Sequence, residues 1–203
     1  MSTPLEMNLR DRKKAEAKAN VLEISHRLFR KNGFDGTTLG TICQEADISK
    51  RTFFRYFRDK ESLAFPRREE RLAQFKMFLK QNQQIENPFE SLRIATQIFG
   101  ARYNDHSENL RAQQAVIQGS DALLAREREI DLDWQREIAR AFSERAGQDA
   151  ESDLWARVLA GAIMGVVRSI MNYWFERDCE PDLVEMGLDS LNYLERGFPH
   201  RVN

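Results

Sequence analysis

The chain has 203 residues, 31 Lys plus Arg against 32 Asp plus Glu, a formal net charge of -1 and 41% hydrophobic residues, enough to bury a core in one or two domains without metal or disulfide support. Cys43 and Cys179 stand alone, with no CxxC or CxxH spacing, which argues against a disulfide scaffold and a zinc knuckle. The longest uncharged apolar run, Val158 to Val167, is too short to span a bilayer, and the start MSTPLEMNLRDRKK lacks a secretory h-region, so the cytoplasm is the expected location and no membrane partner is expected.

Few Pro and Gly and no strand-like alternation make the expected fold all-α, with about nine helices. The first is expected over 11–32, where Val21, Ile24 and Leu28 form a stripe and Gly33 supplies a left-handed cap. Thr38 caps 39–46 and Ser49 caps 50–57, with a turn at Asp47 and Ile48. Asp59 caps a helix expected from Lys60 to about Gln83, with Pro66 marking a first-turn break or kink. Asn87 then caps a helix with Pro88 at its first position. The remaining helices are expected over 107–118, 121–145, 153–177 and 182–196.

Divided after Lys60, the near-neutral charge separates into a basic head, 13 Lys/Arg against 8 Asp/Glu, and an acidic body. Such asymmetry suits a polyanion-binding module joined to one with another task. Two short helices and a tight turn, the second helix opening with Lys50 and Arg51, form a helix-turn-helix signature whose second helix enters the major groove. Lys50, Arg51 and Arg55 reach guanine edges or phosphates, Thr38, Ser49 and Thr52 reach phosphates, and Tyr56 offers a hydroxyl. A merely solvated basic helix is the bland alternative; the coincidence of charge, turn and caps in one window outweighs it. Enzyme chemistry has no support, since His26, His106 and His200 make no metal spacing and no nucleophile or phosphate-loop motif occurs. No catalytic residue, metal or cofactor is assigned. A helical adaptor that does not read DNA would lack the cations of the second helix.

Residues 33–63, GFDGTTLGTICQEADISKRTFFRYFRDKESL, resemble the DNA-binding domain of the TetR family of bacterial transcriptional regulators, matching its pattern without gaps at Gly33, Phe34, Thr37, Thr38, Ile42, Ala46, Ser49, Thr52, Phe53, Tyr56, Phe57, Lys60, Glu61 and Leu63. Three positions depart from it. Asp47 replaces a turn Gly expected at positive φ, at a cost of about 1 kcal/mol. Phe54 replaces a Tyr and offers only apolar contact, for instance with a thymine methyl. Cys43 takes a small core position and is read as packing rather than redox sensing. The resemblance implies Lys50, Arg51 and Phe54 as base-facing, Arg55 as base- or phosphate-facing, and Thr38, Thr52, Tyr56 and Lys60 as phosphate anchors. It divides the chain into an arm (1–10), a DNA-binding domain (11–59) and an effector-binding and dimerisation domain (60–203). Arg10, Arg12, Lys13 and Lys14 form either an arm along the adjacent groove or a solvated tail.

The family resemblance further implies a homodimer on a pseudo-palindromic double-stranded operator and relief of repression by a ligand that shifts the helix beginning at Lys60; an activator or a ligand-independent regulator is the alternative. Trp155, Ala162, Val166 and Ser169, then Leu183, Met186, Ser190 and Leu194, recur at helical spacing and suit a dimer interface or packing within the subunit, and Gly161 and Gly165 permit close helix approach. Phe75, Phe78, Ile98, Phe99, Ile117, Trp134, Met164 and Trp174 are candidates to line an effector cavity, most of them serving as ordinary core. Arg102 and Arg168 interrupt apolar stretches and either neutralise an anionic ligand or pair with a carboxylate such as Glu176 or Asp105, ion pairing being the favoured reading. LRAQQAVIQGSDALLARERE resembles the carboxy-terminal domain of a subgroup that includes mycofactocin- and fatty-acid-linked regulators, which points to a small apolar or amphipathic effector such as an acyl chain.

Overall fold

The structure, a computed structural model, describes residues 9–85 and 87–197. In chain order it contains α1 (Leu9–Asn32), α2 (Leu39–Glu45), α3 (Lys50–Tyr56), a 3-10 turn (Glu61–Leu63), α4 (Arg68–Gln81), α5 (Pro88–Asp105), α6 (Ser107–Gln118), α7 (Asp121–Arg145), α8 (Leu154–Glu176) and α9 (Leu183–Arg196), with no strand among the described residues. The all-α expectation therefore holds. The helix starts follow local capping chemistry. Thr38 accepts from Thr41 N–H at 3.0 Å, Ser49 from Thr52 N–H at 3.1 Å, and Asn87 from Phe89 N–H at 2.8 Å ahead of Pro88. Asp153 and Asp182 cap α8 and α9 in the same way. Gly33 ends α1 at φ 73, and Asp47 takes the left-handed conformation of the turn at φ 51.

One expected helix is not continuous. Asp59 accepts from Ser62 N–H at 2.8 Å, but the N-cap position is Lys60 and only a 3-10 turn follows, and α4 begins at Arg68 after Arg67 adopts φ 58. Pro66 explains the break, because it offers no N–H and pushes the residue before it away from helical geometry. The helix expected to carry a signal from Lys60 is thus in two pieces. At the other end of the head, α1 already runs through residues 9–14, so Arg12, Lys13 and Lys14 lie on a helix rather than on an arm; residues 1–8 of the expected arm lie outside the described residues.

The chain forms two compact units. One extends to Pro66 and includes Ala115–Leu124; the other comprises Arg67–Gln114 and the chain from Ala125 onward. This outline differs from a division at Lys60, because Leu63, Ala64 and Phe65 are buried and the Leu63 carbonyl lies 3.1 Å from His26 Nε2 on α1. The first unit is built around Val21, Leu28, Phe29, Phe34, Ile42 and Phe53. The second packs Phe75, Phe78, Leu79 of α4 and Leu92, Ala95 of α5 against Ile138, Ala139 and Phe142 of α7, Ala156, Ala160 and Ile163 of α8, and Leu191 of α9.

Helices α5 and α9 approach closely because Gly100 and Gly187 lie between them: a Cβ at Gly187 would sit 2.5 Å from Thr96 Cγ2, and one at Gly100 3.0 Å from Val184 Cγ2. Asn104 fastens one end of the pair, donating to Asp182 and accepting from Leu183 N–H, both at 3.1 Å. Arg93 fastens the other through Asn192 and Glu195. At the Gly161–Gly165 pair no such close approach is seen among the described residues: a Cβ at Gly161 would meet the Gln135 side-chain amide at 3.4 Å and one at Gly165 nothing within 4 Å.

Candidate nucleic-acid interface and ligand-binding helices

Helix α3 is seven residues long, and its two sides differ chemically. Phe53 is fully buried, with Phe57 at a ring distance of 5.3 Å, and these rings anchor the helix. Lys50, Arg51, Phe54 and Arg55 are exposed, at positions one and four residues apart that share the opposite face. The head's ion pairs, Arg12–Glu16, Arg27–Glu45 and Arg58–Asp59, involve none of these cations. Among the described residues no carboxylate forms an ion pair with them, which leaves their charge available to a polyanion. Arg55 leans on Tyr56, donating from Nη2 to the phenol oxygen at 2.9 Å with its guanidinium 4.8 Å from the ring centre. Phe54, 56% exposed, projects the one apolar contact of this face. Thr38 and Ser49 are exposed at the starts of α2 and α3, and the Ser49 hydroxyl also donates to Thr52 Oγ1 at 3.0 Å.

Lys60, expected as a phosphate anchor, is also bound within the head. Its ammonium donates to the carbonyls of Phe34 and Thr37, both at 2.9 Å, and lies 3.9 Å from the centre of the Phe34 ring. Two of its three donors are spent on the loop between α1 and α2. Thr37, buried, closes the same loop by donating to the Gly33 carbonyl at 2.8 Å, and a side chain at Gly36 would meet the Asn32 carbonyl at 2.4 Å. Several residues of the helix-turn-helix pattern thus hold the reading head together. Cys43 is also buried here, and burial pushes its thiol up against the opposing influence of Lys50, in keeping with a packing role.

In the second unit the expected ligand residues separate into groups. Phe75, Phe78, Phe99 and Trp134 form one aromatic cluster, with Phe75 5.0 Å from Trp134, 5.9 Å from Phe99 and 6.5 Å from Phe78, and Phe78 6.0 Å from Phe99. Met164 packs against the same core. Ile98 points outward, 40% exposed, and Trp174 is a buried structural residue whose indole N–H donates to the Pro181 carbonyl at 2.8 Å. Ile117 belongs to the other unit and leaves the set. The two arginines also part company. Arg168 pairs with Asp131 and Glu127 of α7, which is the structural role favoured for it with different partners. Arg102 meets neutral groups, donating to Gln74 Oε1 at 3.3 Å with its guanidinium 5.7 Å from the Phe99 ring centre. Arg71, one turn of α4 away from the cluster, donates to the Tyr103 hydroxyl at 3.2 Å and was not singled out by sequence pattern.

The expected dimer residues divide similarly. On α8, Trp155, Gly165 and Ser169 are exposed and Ala162 and Val166 half-buried; Val158, on the same stripe, is 62% exposed. On α9, Leu183 is buried and Leu194 packs against the core, so both serve their own subunit, while Met186 and Ser190 stay half-buried beside the exposed Tyr193. Helix α8 is the one described helix long and apolar enough to cross a membrane, and most of its apolar length is not buried within the structure.

Residues 21–65 match the model of bacterial regulatory proteins of the tetR family, and residues 86–199 match that of the MftR C-terminal domain. The chain is 26% identical over 202 residues to the HTH-type transcriptional regulator TcmR of Streptomyces glaucescens, covering 94% of this chain and 89% of that protein. It is 24% identical over 190 residues to a Mycobacterium tuberculosis protein described as a mycofactocin biosynthesis transcriptional regulator, MftR, covering 89% of this chain and 96% of that one. Among solved structures, the regulator FadR from Bacillus subtilis in complex with stearoyl-CoA superposes with a TM-score of 0.62 at 19% identity, over 90% of this chain and 100% of that one.

Proposed function

Because the chain belongs to the TetR family of bacterial transcriptional regulators, with a carboxy-terminal domain of the MftR type, we propose that it is a cytoplasmic homodimeric repressor released from its operator by an amphipathic ligand. It is a DNA-binding transcriptional regulator, and its family consists of regulators rather than enzymes. The observation that carries the DNA reading is the α3 face of Lys50, Arg51, Phe54 and Arg55, exposed, with no ion pair to a carboxylate among the described residues, and mounted on the buried Phe53. Lys50 and Arg51 address base edges, Phe54 a thymine methyl, and Thr38, Ser49, Thr52, Arg55 and Tyr56 the phosphates that set register.

The exposed α8 stripe of Trp155, Val158, Ala162, Gly165 and Ser169, with Met186 and Ser190 of α9, supplies the dimer surface. Apolar area of this kind is covered by a partner in a water-soluble regulator, and the small residues let two copies of α8 lie close. Its apolar character therefore needs no bilayer. The ligand reading rests on the aromatic cluster around Phe75 beside Arg102 and Arg71, two guanidiniums that donate to the neutral Gln74 and Tyr103 side chains among the described residues. An apolar chain ending in an anionic group matches that pairing, and an acyl chain is the class preferred; the FadR structure carries such a ligand.

Selection of duplexes from a random pool by the full-length protein tests the whole reading. The expected product is a pseudo-palindrome with half-sites about 34–36 Å apart, bound with an affinity that falls steeply with salt. Arg51→Ala should relax the preference at one or two symmetric positions by about 1–3 kcal/mol. An unchanged sequence preference in that variant would remove Arg51 from the base-reading set. Titration with stearoyl-CoA, followed by Trp134 fluorescence and by release of the selected duplex, tests the ligand; binding of neither this nor the free fatty acid would favour a ligand-independent regulator.

A further inference from the structure

A serine inside a helix can satisfy its hydroxyl on the carbonyl one turn back, and Ser25, Ser143, Ser169 and Ser190 all do so here. Ser91, near the start of α5, does not. It is 2% exposed, and its hydroxyl has no hydrogen-bond partner among the described residues. Nη2 of Arg145, in the last turn of α7, is likewise buried and without a partner among them. A cation at a helix C-terminus suits the macrodipole, but that role is met in water and requires no buried nitrogen. Donors shut away from water without an acceptor are costly, so two of them call for an explanation.

Both donors lie at one end of the carboxy-terminal unit. The pairs Arg68–Asp133 and Lys76–Glu137, the latter at 3.1 Å, advance together along α4 and α7, so these helices run the same way and finish at the same end. Helix α5 runs against α4, Arg71 meeting Tyr103 and Phe78 meeting Phe99, and therefore starts where α4 finishes. Ser91 stands one turn before Ala95, and Arg145 one turn beyond Phe142; Ala95 and Phe142 are buried in the same core cluster. The two polar groups thus continue apolar rows that converge. About 18 Å of helix separates this end of α5 from Arg102 and Tyr103 at the other.

We propose that Arg145 and Ser91 are the donors of a carboxylate-binding site at this end of the unit, distinct from Arg71 and Arg102 and independent of the effector proposed above. Charge selects the class. Arg145 brings one positive charge on a planar fork that matches a carboxylate, and Ser91 adds one hydroxyl donor. Glu144, Asp149, Glu151 and Asp153 lie close to Arg145 in the chain and oppose a second negative charge, which disfavours phosphate. Asp149 and Asp153 are engaged otherwise, the first with the Ser152 hydroxyl at 3.1 Å and the second as the cap of α8. The ion pairs of α7 among the described residues do not include Arg145.

Thermal unfolding of the full-length protein reads the site, with sodium acetate, hexanoate or phosphate replacing chloride at constant ionic strength and pH 7. The wild type should gain about 3–5 °C for each tenfold rise in the bound acid beyond half-saturation. A gain with acetate assigns a free small acid; a gain with hexanoate alone assigns the acid end of a longer apolar molecule. Arg145→Met and Ser91→Ala should each abolish the gain. In chloride alone Ser91→Ala should melt no lower than the wild type, because it removes an unpartnered donor, whereas with saturating acid it should melt lower. General loss of packing does not produce such a crossing. The site is overturned if neither acid raises the wild-type melting temperature, if phosphate raises it as much, or if the gain survives in both variants. It is overturned equally if Ser91→Ala melts below the wild type in chloride alone, which would give that hydroxyl a partner within the chain.

Discussion

The amino-terminal and carboxy-terminal units hold their helices by different means. In the first, α2 and α3 are seven residues each, too short to persist alone, and are fixed at their ends by Thr38, Ser49 and Asp47 and from beneath by Ile42 and Phe53. In the second, helices of 12 to 25 residues are held along their lengths by aromatic rings, by close approach at Gly100 and Gly187, and by the α4–α7 ion pairs. The difference teaches where each unit is vulnerable. The head concentrates its stability in a few contacts so that one whole face of α3 stays free for DNA; the other unit spreads it over long seams.

Phe53→Ala should test this contrast most severely. Loss of a completely buried ring should cost about 3–5 kcal/mol in urea unfolding and abolish binding of the selected duplex. A small loss would mean that the head does not depend on so few contacts. Lys60→Met comes next: with two hydrogen bonds to carbonyls removed, unfolding stability should fall by about 2 kcal/mol. If instead the melting temperature holds and only DNA affinity drops, Lys60 is a phosphate anchor after all. In the carboxy-terminal unit, Gly187→Ala should cost about 1–2 kcal/mol through the collision with Thr96 Cγ2, and Thr96→Ser, which deletes that methyl, should recover most of it.

The smallest effect concerns pH and the head. Burial, outweighing the hydrogen bond with the Leu63 carbonyl, holds His26 below its ordinary value, and Arg30 acts in the same direction. The unfolded chain then takes up the proton first. The head should be at full stability above about pH 6.5 and lose stability as pH falls through the lower native value of His26. Urea unfolding at pH 5.5 and 7.5 checks this, and His26→Gln should flatten the dependence.

Much of the molecule can be read without coordinates. The caps at Thr38, Ser49, Asn87, Asp153 and Asp182, the left-handed Asp47 and most helix limits depend on groups within four residues of one another. The exposed face of α3 follows from helical spacing once Phe53 is placed inward. The aromatic cluster is legible as composition, although its membership is not: Phe75, Phe78, Phe99 and Trp134 come together while Ile117, Ile98 and Trp174 go elsewhere. Arg102 and Arg168 look alike in sequence, each a cation in an apolar run. They differ because Arg168 faces Asp131 across α7–α8, whereas Arg102 meets the neutral Gln74 and Phe99.

The all-α class, the helix-turn-helix and its basic face were determined by sequence alone, since they rest on periodicity, caps and charge over short spans, and the family by the resemblance of residues 33–63 to its pattern. Tertiary structure decided the roles that need partners distant in the chain. Only there does Lys60, 26 residues beyond Phe34, become a clamp on that residue's loop. Ser120, 85 residues beyond Asp35, becomes part of the head in the same way. No local pattern encodes such pairings, because closing a long loop is decided by the packing of everything between its ends.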